Sequence, residues 1–357
     1  MASKYWEERS VNAELQSERS VLDFESKLLE AYEIALASIR KEIEAFYGRY
    51  AKDNKIPYAE VKRKLTSPEY KNFKTLLKEW LRVCEELGLN IDYSEYLKKL
   101  SARIYVTRLE ALEANIRYHI EVLKAKQHDM MEKLAYDNYM VMYYQSYFDL
   151  AQNLGIDIAF YPIDHTGIMN AIKSKWDRQN FSSRIWNDRD ALIKSLSVIL
   201  PQSFSRGFNA NKLGDMISKE MGTSKNRGRA LARTEINYLC NQATLDMYKK
   251  AGIEKYEFLA TLDTRTSEIC RDMDGYIGKV SEAKVNVNYP PMHVNCRSTT
   301  VPYFEDDKDA QRIARDEDGN NIKVSRRMTQ EEWIKKYVPK EQQETMLNFR
   351  GKYRPKD

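Results

Sequence analysis

The sequence of 357 residues has little of several things that define large protein classes. It contains no run of about 18 apolar residues, so we expect no membrane-spanning helix. It has only four cysteines, Cys84, Cys240, Cys270 and Cys296, too few for a disulfide-stapled scaffold. Its first residues lack the apolar core of a secretory signal, so we expect synthesis in the cytoplasm. The formal net charge of +5 permits contact with nucleic acid but does not require it.

The common enzyme motifs are also missing. The sequence has no Walker A loop, no G-x-G-x-x-G, no G-x-S-x-G, no H-E-x-x-H and no deaminase zinc signature. Of the four histidines, His119, His128 and His165 have no evident catalytic partner in the sequence. We therefore expect a protein that is not an enzyme and has no small-molecule substrate.

Glycine and proline are absent from one long stretch. No glycine lies between residues 88 and 155, and no proline lies between residues 68 and 162. Both residue types interrupt helices, so their absence predicts a long helix over 94–154, either straight or bent near Lys124–Asp129. Apolar residues recur there at helical spacing: Tyr105, Leu109, Leu112, Ile116, Ile120 and Leu123.

Shorter patterns complete the predicted elements. A helix over about 18–50 precedes a second one that Ser67 caps and Gly88 ends. Four helices are expected between the long helix and the C-terminal part, over 164–176, 182–200, 211–221 and 223–251. Three short strands are expected at 255–262, 276–280 and 297–303.

These elements predict a mainly α fold with an elongated helical N-terminal arm and a small α+β module near the C-terminus. We divide the chain into a long-helix arm, a helical middle domain, the α+β module, and a polar tail with one short helix. Their ranges are 1–160, 161–252, 253–304 and 305–357.

The α+β module concentrates the residues that bind metals. His293 and Cys296 are separated by two residues, so one tight turn can direct both toward a single ion, and Cys270 can supply a third ligand. Asp263 or Asp272 is the candidate for the fourth. Zinc would stabilise a module with little core of its own. The same residues also fit a structural thiol and histidine cluster, or a catalytic site.

A basic run occupies the start of the last predicted helix. Lys225, Arg227, Arg229 and Arg233 lie in nine residues, at the helix end where the dipole does not favour positive charge. DNA phosphate or an acidic partner would offset this charge, although a solvated charged face is the alternative.

The motif residues taken together resemble the phage head-morphogenesis family, the Mu F-like minor head (minor capsid) proteins of tailed phages. The resemblance covers about residues 165–304. It is carried by Arg233, Glu235, Asp263, Arg265, Asp274, Gly275, Pro291, His293, Cys296 and Arg297. Many relatives have C-x-x-C where this chain has Ser267 to Cys270, which leaves Asp263 as the replacement ligand.

The resemblance implies a virion protein without catalysis, placed inside the head near the portal and made in the host cytoplasm. Its implied partners are the portal protein, the major capsid or scaffolding protein, and double-stranded phage DNA. Its implied roles are procapsid assembly, DNA packaging and DNA ejection. The alternative is a metal-dependent nuclease or toxin-like enzyme that uses Asp263, Cys270, His293 and Cys296.

Overall fold

The computed structural model describes residues 2–86, 91–154, 163, 165–304, 311–315, 321–325, 332, 335 and 336. The helices run over Ala2–Tyr50 (α1), Tyr58–Val61 (α2), Ser67–Glu86 (α3), Ile91–Ala102 (α4), Arg108–Leu154 (α5), His165–Lys173 (α6), Phe181–Ser205 (α7), Ala210–Lys250 (α8) and Glu268–Met273 (α9). The strands run over Lys255–Leu259 (β1), Ile277–Lys279 (β2), Thr299–Pro302 (β3), Gln311–Arg315 (β4) and Asn321–Ser325 (β5). The expected mainly α fold with a small α+β module is confirmed.

The predicted long helix is interrupted earlier than expected. It consists of α4 and α5, which are separated by residues 103–107 rather than bent near Lys124–Asp129. The cause is a capping box: the Thr107 N–H donates to Glu110 Oε2 at 2.8 Å, and the Glu110 N–H donates to Thr107 Oγ1 at 3.2 Å. The start of α3 follows the same rule, since the Thr66 N–H donates to Glu69 Oε2 at 2.7 Å. Thr66, not Ser67, therefore precedes the first turn.

The two helices predicted between residues 211 and 251 are one continuous helix, α8, which begins after an Asn209 cap. Gly222 does not end it. Gly228 lies where a Cβ atom would be 2.8 Å from Gln127 Nε2, so this glycine provides room for close packing rather than a helix stop. Helix α7 also passes its predicted end at Pro201 and closes at Gly207, whose φ is 66°.

The chain folds into two compact units, each made of segments that are separate in the sequence. The first unit contains Met1–Phe24, Glu132–Asn180 and Ala230–Asp357, and the second contains Glu25–Met131 and Phe181–Arg229. A core of the second unit joins α3, α4 and α5. Its buried side chains include Phe73, Leu77, Trp80, Tyr93, Leu97 and Leu100. The four-part division along the sequence stays a prediction.

The α+β module belongs to the first unit. Strand β1 lies between β2 and β3 in an antiparallel sheet, with Glu257 opposite both Ile277 and Val301. A small core below the sheet contains Phe258, Ala260, Cys270, Met273, Met292 and Cys296. The three predicted strands are therefore present.

The tail contains a hairpin that the sequence patterns above did not predict. Strands β4 and β5 pair antiparallel, with Ile313 opposite Lys323. The Asp318-Gly319 dipeptide between them in the sequence is a common hairpin signal. Of the short helix expected in the tail, residues 332, 335 and 336 are helical, and the rest lies outside the described residues.

Candidate metal centre in the C-terminal module

Two elements bring Cys270, His293 and Cys296 together. Cys270 lies on α9, whose N-cap is Ser267, and the Ser267 hydroxyl accepts from the Cys270 N–H. His293 and Cys296 lie in one turn, closed by the Cys296 N–H donating to the His293 carbonyl at 3.1 Å. Asn295 in this turn has a φ of 62°. The spacing of two residues thus places both side chains in one turn, close to Cys270 on α9.

The ligand atoms of these three residues all lie within 4.8 Å of one another. Cys270 Sγ is 3.2 Å from His293 Nε2 and 3.7 Å from Cys296 Sγ. Both thiols are buried, and all four cysteines of the chain are free thiols. Two sulfurs and one imidazole nitrogen at these separations form three corners of the tetrahedral donor set that zinc prefers.

His293 is held by polar contacts on both ring nitrogens. Nδ1 is 2.8 Å from the Val294 carbonyl oxygen, which can only accept, so Nδ1 carries the proton. Nε2 is then an acceptor, and it lies 2.6 Å from Ser267 Oγ. A backbone carbonyl that fixes the tautomer in this way is a frequent arrangement around metal-binding histidines. Ser267 was not among the predicted ligands, although the resemblance in the motif residues implies a cysteine at this position.

The two thiols differ in acidity. The pKa of Cys270 is lowered to about 7, chiefly by the hydrogen bond with Cys296, with further hydrogen bonds from Ser298 and Ser267 and the charge of Arg297. The pKa of Cys296 is raised well above its ordinary value by the same thiol pair and by burial. Cys270 is therefore the more readily ionised sulfur of the pair.

Asp263, the expected fourth ligand, has other partners. Its carboxylate accepts from Arg297 at 2.5 and 2.8 Å, from the Thr266 hydroxyl at 3.0 Å and from the Arg265 N–H at 2.9 Å. Among the described residues, the group whose atoms converge contains Cys270, His293 and Cys296 without Asp263. Asp272, the other candidate, does not belong to it either.

The remaining motif residues organise the backbone around this centre. The Glu235 carboxylate accepts from the Trp176 indole N–H at 3.1 Å. Asp274 Oδ1 accepts from the Ala260 N–H at 2.9 Å, and Gly275, with a φ of 75°, donates to the Phe258 carbonyl. Pro291 is buried and follows a cis peptide bond. Asp274, Gly275 and Pro291 therefore act in the fold of the module, whereas Glu235 contacts a residue outside it.

Hydrogen bonds from side chains on both sides fix the module to α8. Asn237 Nδ2 and Asn241 Nδ2 both donate to the Ser298 carbonyl, at 3.0 and 3.2 Å. The Tyr289 hydroxyl donates to the Asn241 carbonyl, and the Tyr248 hydroxyl donates to the Thr300 carbonyl. All of these atoms belong to the first unit.

The predicted basic run lies on α8, and two of its members form ion pairs. Arg227 pairs with Asp188 at 3.1 Å, and Arg229 pairs with Glu25 at 2.9 Å, both within the second unit. Both arginines remain partly exposed. Lys225 is half-buried, and Arg233 is exposed in the first unit. Because these acids partly neutralise the positive charge of the run, strong DNA binding by the run is less expected.

No helix among the described residues combines the length and hydropathy needed to cross a bilayer. Residues 195–301 match the model of a family described as Phage Mu protein F like protein. The resemblance found in the motif residues is thereby confirmed over that segment. An uncharacterized protein of Haemophilus influenzae is similar to the chain, 26% identical over 121 residues, which are 34% of this chain and 27% of that protein. The match spans about a quarter of that relative. No solved structure matches the chain.

Proposed function

We propose that the protein is a structural minor head protein of a tailed phage, associated with the portal inside the head and acting in procapsid assembly and DNA packaging or ejection. The observation that carries the proposal is the family match over residues 195–301, which includes most of the three-stranded module and all of α8. The motif residues support it because their contacts hold the module and attach it to α8. Such a module suits a protein that docks on a larger assembly.

Virion composition tests this proposal. Mass spectrometry of purified virions should detect the protein at a few copies per head, and it should copurify with the portal protein. Protease added to intact virions should leave it undigested, and opening the heads should expose it. Its absence from purified virions contradicts the proposal, and digestion in intact heads contradicts the interior location.

Complementation gives a sharper version of the test. A phage lacking the gene is supplied with the wild-type chain or with one of two variants. Phe258→Asp puts a charge into the module core and should abolish incorporation into heads. Lys279→Ala changes an exposed side chain of β2 and should leave incorporation unchanged. Equal incorporation of both variants would show that the module is not needed for assembly into the head.

A structural zinc ion in the module is part of the proposal. Cys270, His293 and Cys296 fit such an ion, with Ser267 or water in the fourth position. The purified chain should contain about one zinc per molecule. His293→Ala and Cys270→Ser should lose it, whereas Cys84→Ser, a control at a buried cysteine of the second unit, should keep it. Wild-type protein that binds no zinc after refolding with the metal would refute this part.

The alternative function, a metal-dependent nuclease, depends on the same three ligands. Asp263 argues against this function, because its carboxylate, the predicted fourth member of the site, accepts two hydrogen bonds from Arg297. Metal-supplemented cleavage assays on double-stranded DNA should therefore show no activity above background. Cleavage that His293→Ala abolishes would favour the nuclease over the structural protein.

DNA contact is the remaining element of the proposal. Because Arg227 and Arg229 are paired with acids, we expect weak binding to duplex DNA that falls with rising salt. Lys225→Ala should reduce the salt dependence, whereas Lys279→Ala should not. Binding that is tight and insensitive to salt would contradict this expectation.

A further inference from the structure

The connection between α4 and α5 exposes an apolar side chain to solvent. Ile104 is 92% exposed, more than any other large apolar side chain in the described part of the chain, and Tyr105 beside it is 49% exposed. We call residues 103–105 the tip; it belongs to the second unit. A lone exposed aliphatic residue is common on protein surfaces, so the tip is informative only through its surroundings.

Hydrogen bonds hold both ends of the tip in place. Two backbone hydrogen bonds of 2.8 and 2.9 Å join residues 63–65 to residues 106–108, at the C-terminal end of the tip. The Tyr70 hydroxyl of α3 donates to the Arg103 carbonyl at the other end. Ile104 therefore extends into solvent from a fixed position rather than from a long loop.

Two tyrosines flank Ile104, and a lysine lies over the ring of each. Lys64 Nζ is 4.1 Å from the centre of the Tyr105 ring, and Lys74 Nζ is 4.9 Å from the centre of the Tyr70 ring. A tyrosine combines an apolar ring with a polar hydroxyl, and a lysine combines an apolar stem with a terminal charge. Both residue types are suited to the boundary between water and an apolar phase.

The surroundings of the tip carry a net positive charge. Residues 58–74 and 103–110 contain seven cations and three carboxylates, a net charge of +4. Each carboxylate pairs with an arginine at 2.7–3.4 Å, in the pairs Glu110–Arg103, Glu60–Arg63 and Glu69–Arg108. The positive charge that these pairs leave over belongs to four lysines: Lys62, Lys64, Lys71 and Lys74. The partner that complements this surface is therefore anionic.

We propose that the tip binds the surface of a bilayer that contains anionic lipids. Ile104 would enter the hydrocarbon boundary, the two tyrosines would lie at the level of the headgroups, and the lysines would lie near the lipid phosphates. This arrangement gives each exposed group around the tip a matching environment. The inference does not depend on the proposed role in the phage head.

Other anionic partners match this surface less well. The phosphates of a DNA backbone would pair with the lysines but give Ile104 no apolar contact. An acidic protein would bury Ile104, but protein interfaces are depleted in lysine, the residue type that supplies the excess charge here. The combination of a solvated isoleucine, two tyrosines and four lysines therefore favours a lipid surface.

Flotation of the full chain with lipid vesicles tests the inference. One set of vesicles contains phosphatidylcholine alone, and the other contains phosphatidylcholine and phosphatidylglycerol in equal amounts. The chain should bind the mixed vesicles at least about tenfold more tightly, because each cation near an anionic surface strengthens binding by about fivefold. Rising salt should weaken this binding, since the lysines are exposed or half-buried. Binding to a DNA duplex is measured in parallel.

Substitutions at two isoleucines separate insertion from adsorption by charge. Ile104→Ser changes a side chain outside the core and should weaken binding to the mixed vesicles about tenfold. Ile34→Ser is the matched control, because Ile34 is 54% exposed and lies about 24 Å along α1 from Tyr50, whose ring contacts Arg108. It should leave binding unchanged. The fluorescence of Ile104→Trp should shift to shorter wavelength with the mixed vesicles, whereas that of Ile34→Trp should not.

The double variant Lys62→Gln with Lys64→Gln tests the charge and should weaken vesicle binding roughly 20-fold. Equal affinity for both kinds of vesicle, no binding to the mixed vesicles, or binding that Ile104→Ser leaves unchanged would overturn the inference. Duplex DNA binding that the double variant abolishes, in a chain that does not bind the mixed vesicles, would assign the surface to DNA and overturn it as well.

Discussion

Replacing Asp263 by asparagine distinguishes an ion-pairing role of this residue from a metal-ligating one. Asp263 is 5% exposed, and its carboxylate accepts two hydrogen bonds from Arg297, which is 27% exposed at its side chain. The variant keeps an acceptor for the turn at Arg265 but loses the negative charge. Removing one partner of a fully buried pair costs about 3–5 kcal/mol. Since water can partly solvate Arg297, we expect a loss of about 2 kcal/mol in the free energy of unfolding.

Urea unfolding followed by circular dichroism measures this loss, and the zinc content of the same samples is measured in parallel. Arg265→Ala is the control, because its guanidinium is exposed and lies 3.7 Å from Asp263, so it should cost less than about 0.5 kcal/mol. Asp263→Asn should keep the zinc that Cys270→Ser loses. A stability loss as small as that of the control, or a loss of zinc equal to that of Cys270→Ser, would refute the ion-pair interpretation.

The pH dependence of the same variant gives an independent check. Burial alone would raise the pKa of Asp263, but the hydrogen bonds and charge of Arg297 and the bonds from Thr266 and Arg265 hold it below its ordinary value. The stability that the carboxylate contributes is therefore complete above the unfolded pKa, about 4, and is lost as the pH falls through the lower folded value. The difference between wild type and Asp263→Asn should be constant from about pH 6 to 8 and shrink below about pH 4.

Three further substitutions test the second unit by urea unfolding. Lys124→Met removes a fully buried ammonium that lies 2.8 Å from Asp188, and it should cost about 3 kcal/mol; a loss below about 1 kcal/mol would contradict the importance of this pair. The pKa of Glu113 is raised to about 7, mainly by burial, so the wild type loses stability as the pH rises from about 4.5 to 7. Glu113→Gln should remove that slope and be more stable by about 1 kcal/mol at about pH 8, and an unchanged slope would argue against it. Gly228→Ala places a Cβ atom 2.8 Å from Gln127 Nε2, so it should be destabilising by about 1 kcal/mol despite the better helix propensity of alanine; a stabilised variant would show that Gln127 moves freely.

The helical part of the fold is predictable because it depends on local rules. The absence of glycine and proline predicts α5, and apolar residues at helical spacing predict α1 and α3. The interruption before α5 was missed, although the capping box from Thr107 to Glu110 was present in the sequence. The start of α5 could therefore have been predicted by giving more weight to caps than to helix breakers.

The continuity of α8 was not predictable in the same way. Gly222, where a helix end was predicted, lies inside α8 with open space beside its Cα, and one glycine costs a helix only about 1 kcal/mol relative to alanine. Gly228, inside the second predicted helix, permits close packing of other helices, a long-range contact that periodicity and propensity do not contain. The same limit applies to Arg227 and Arg229, whose acidic partners, Asp188 and Glu25, lie far away in the sequence.

The candidate metal ligands illustrate the difference between residues that can be grouped by their spacing and residues whose partner only the fold reveals. His293 and Cys296 could be assigned to one turn from their spacing, and Cys270 could be added because it is a cysteine in the same small module. Asp263 has a carboxylate of the kind that can bind a metal ion, but Arg297 donates hydrogen bonds to that carboxylate instead. A carboxylate near an arginine of the same motif is as readily an ion-pair partner as a ligand, and only the folded geometry separates the two. Ser267 could have been identified, because it holds the position of the missing cysteine.

The segment from Cys296 to Thr300 connects the candidate metal centre to α8. Cys296 belongs to the converging candidate ligands, the Ser298 carbonyl accepts from the amides of Asn237 and Asn241, and the Thr300 carbonyl accepts from Tyr248. This one short segment therefore contributes both to the candidate metal centre and to the attachment of the module to α8. An ion bound by Cys296 would restrict the position of the nearby Ser298 carbonyl, because so short a segment has few conformations that satisfy both ends.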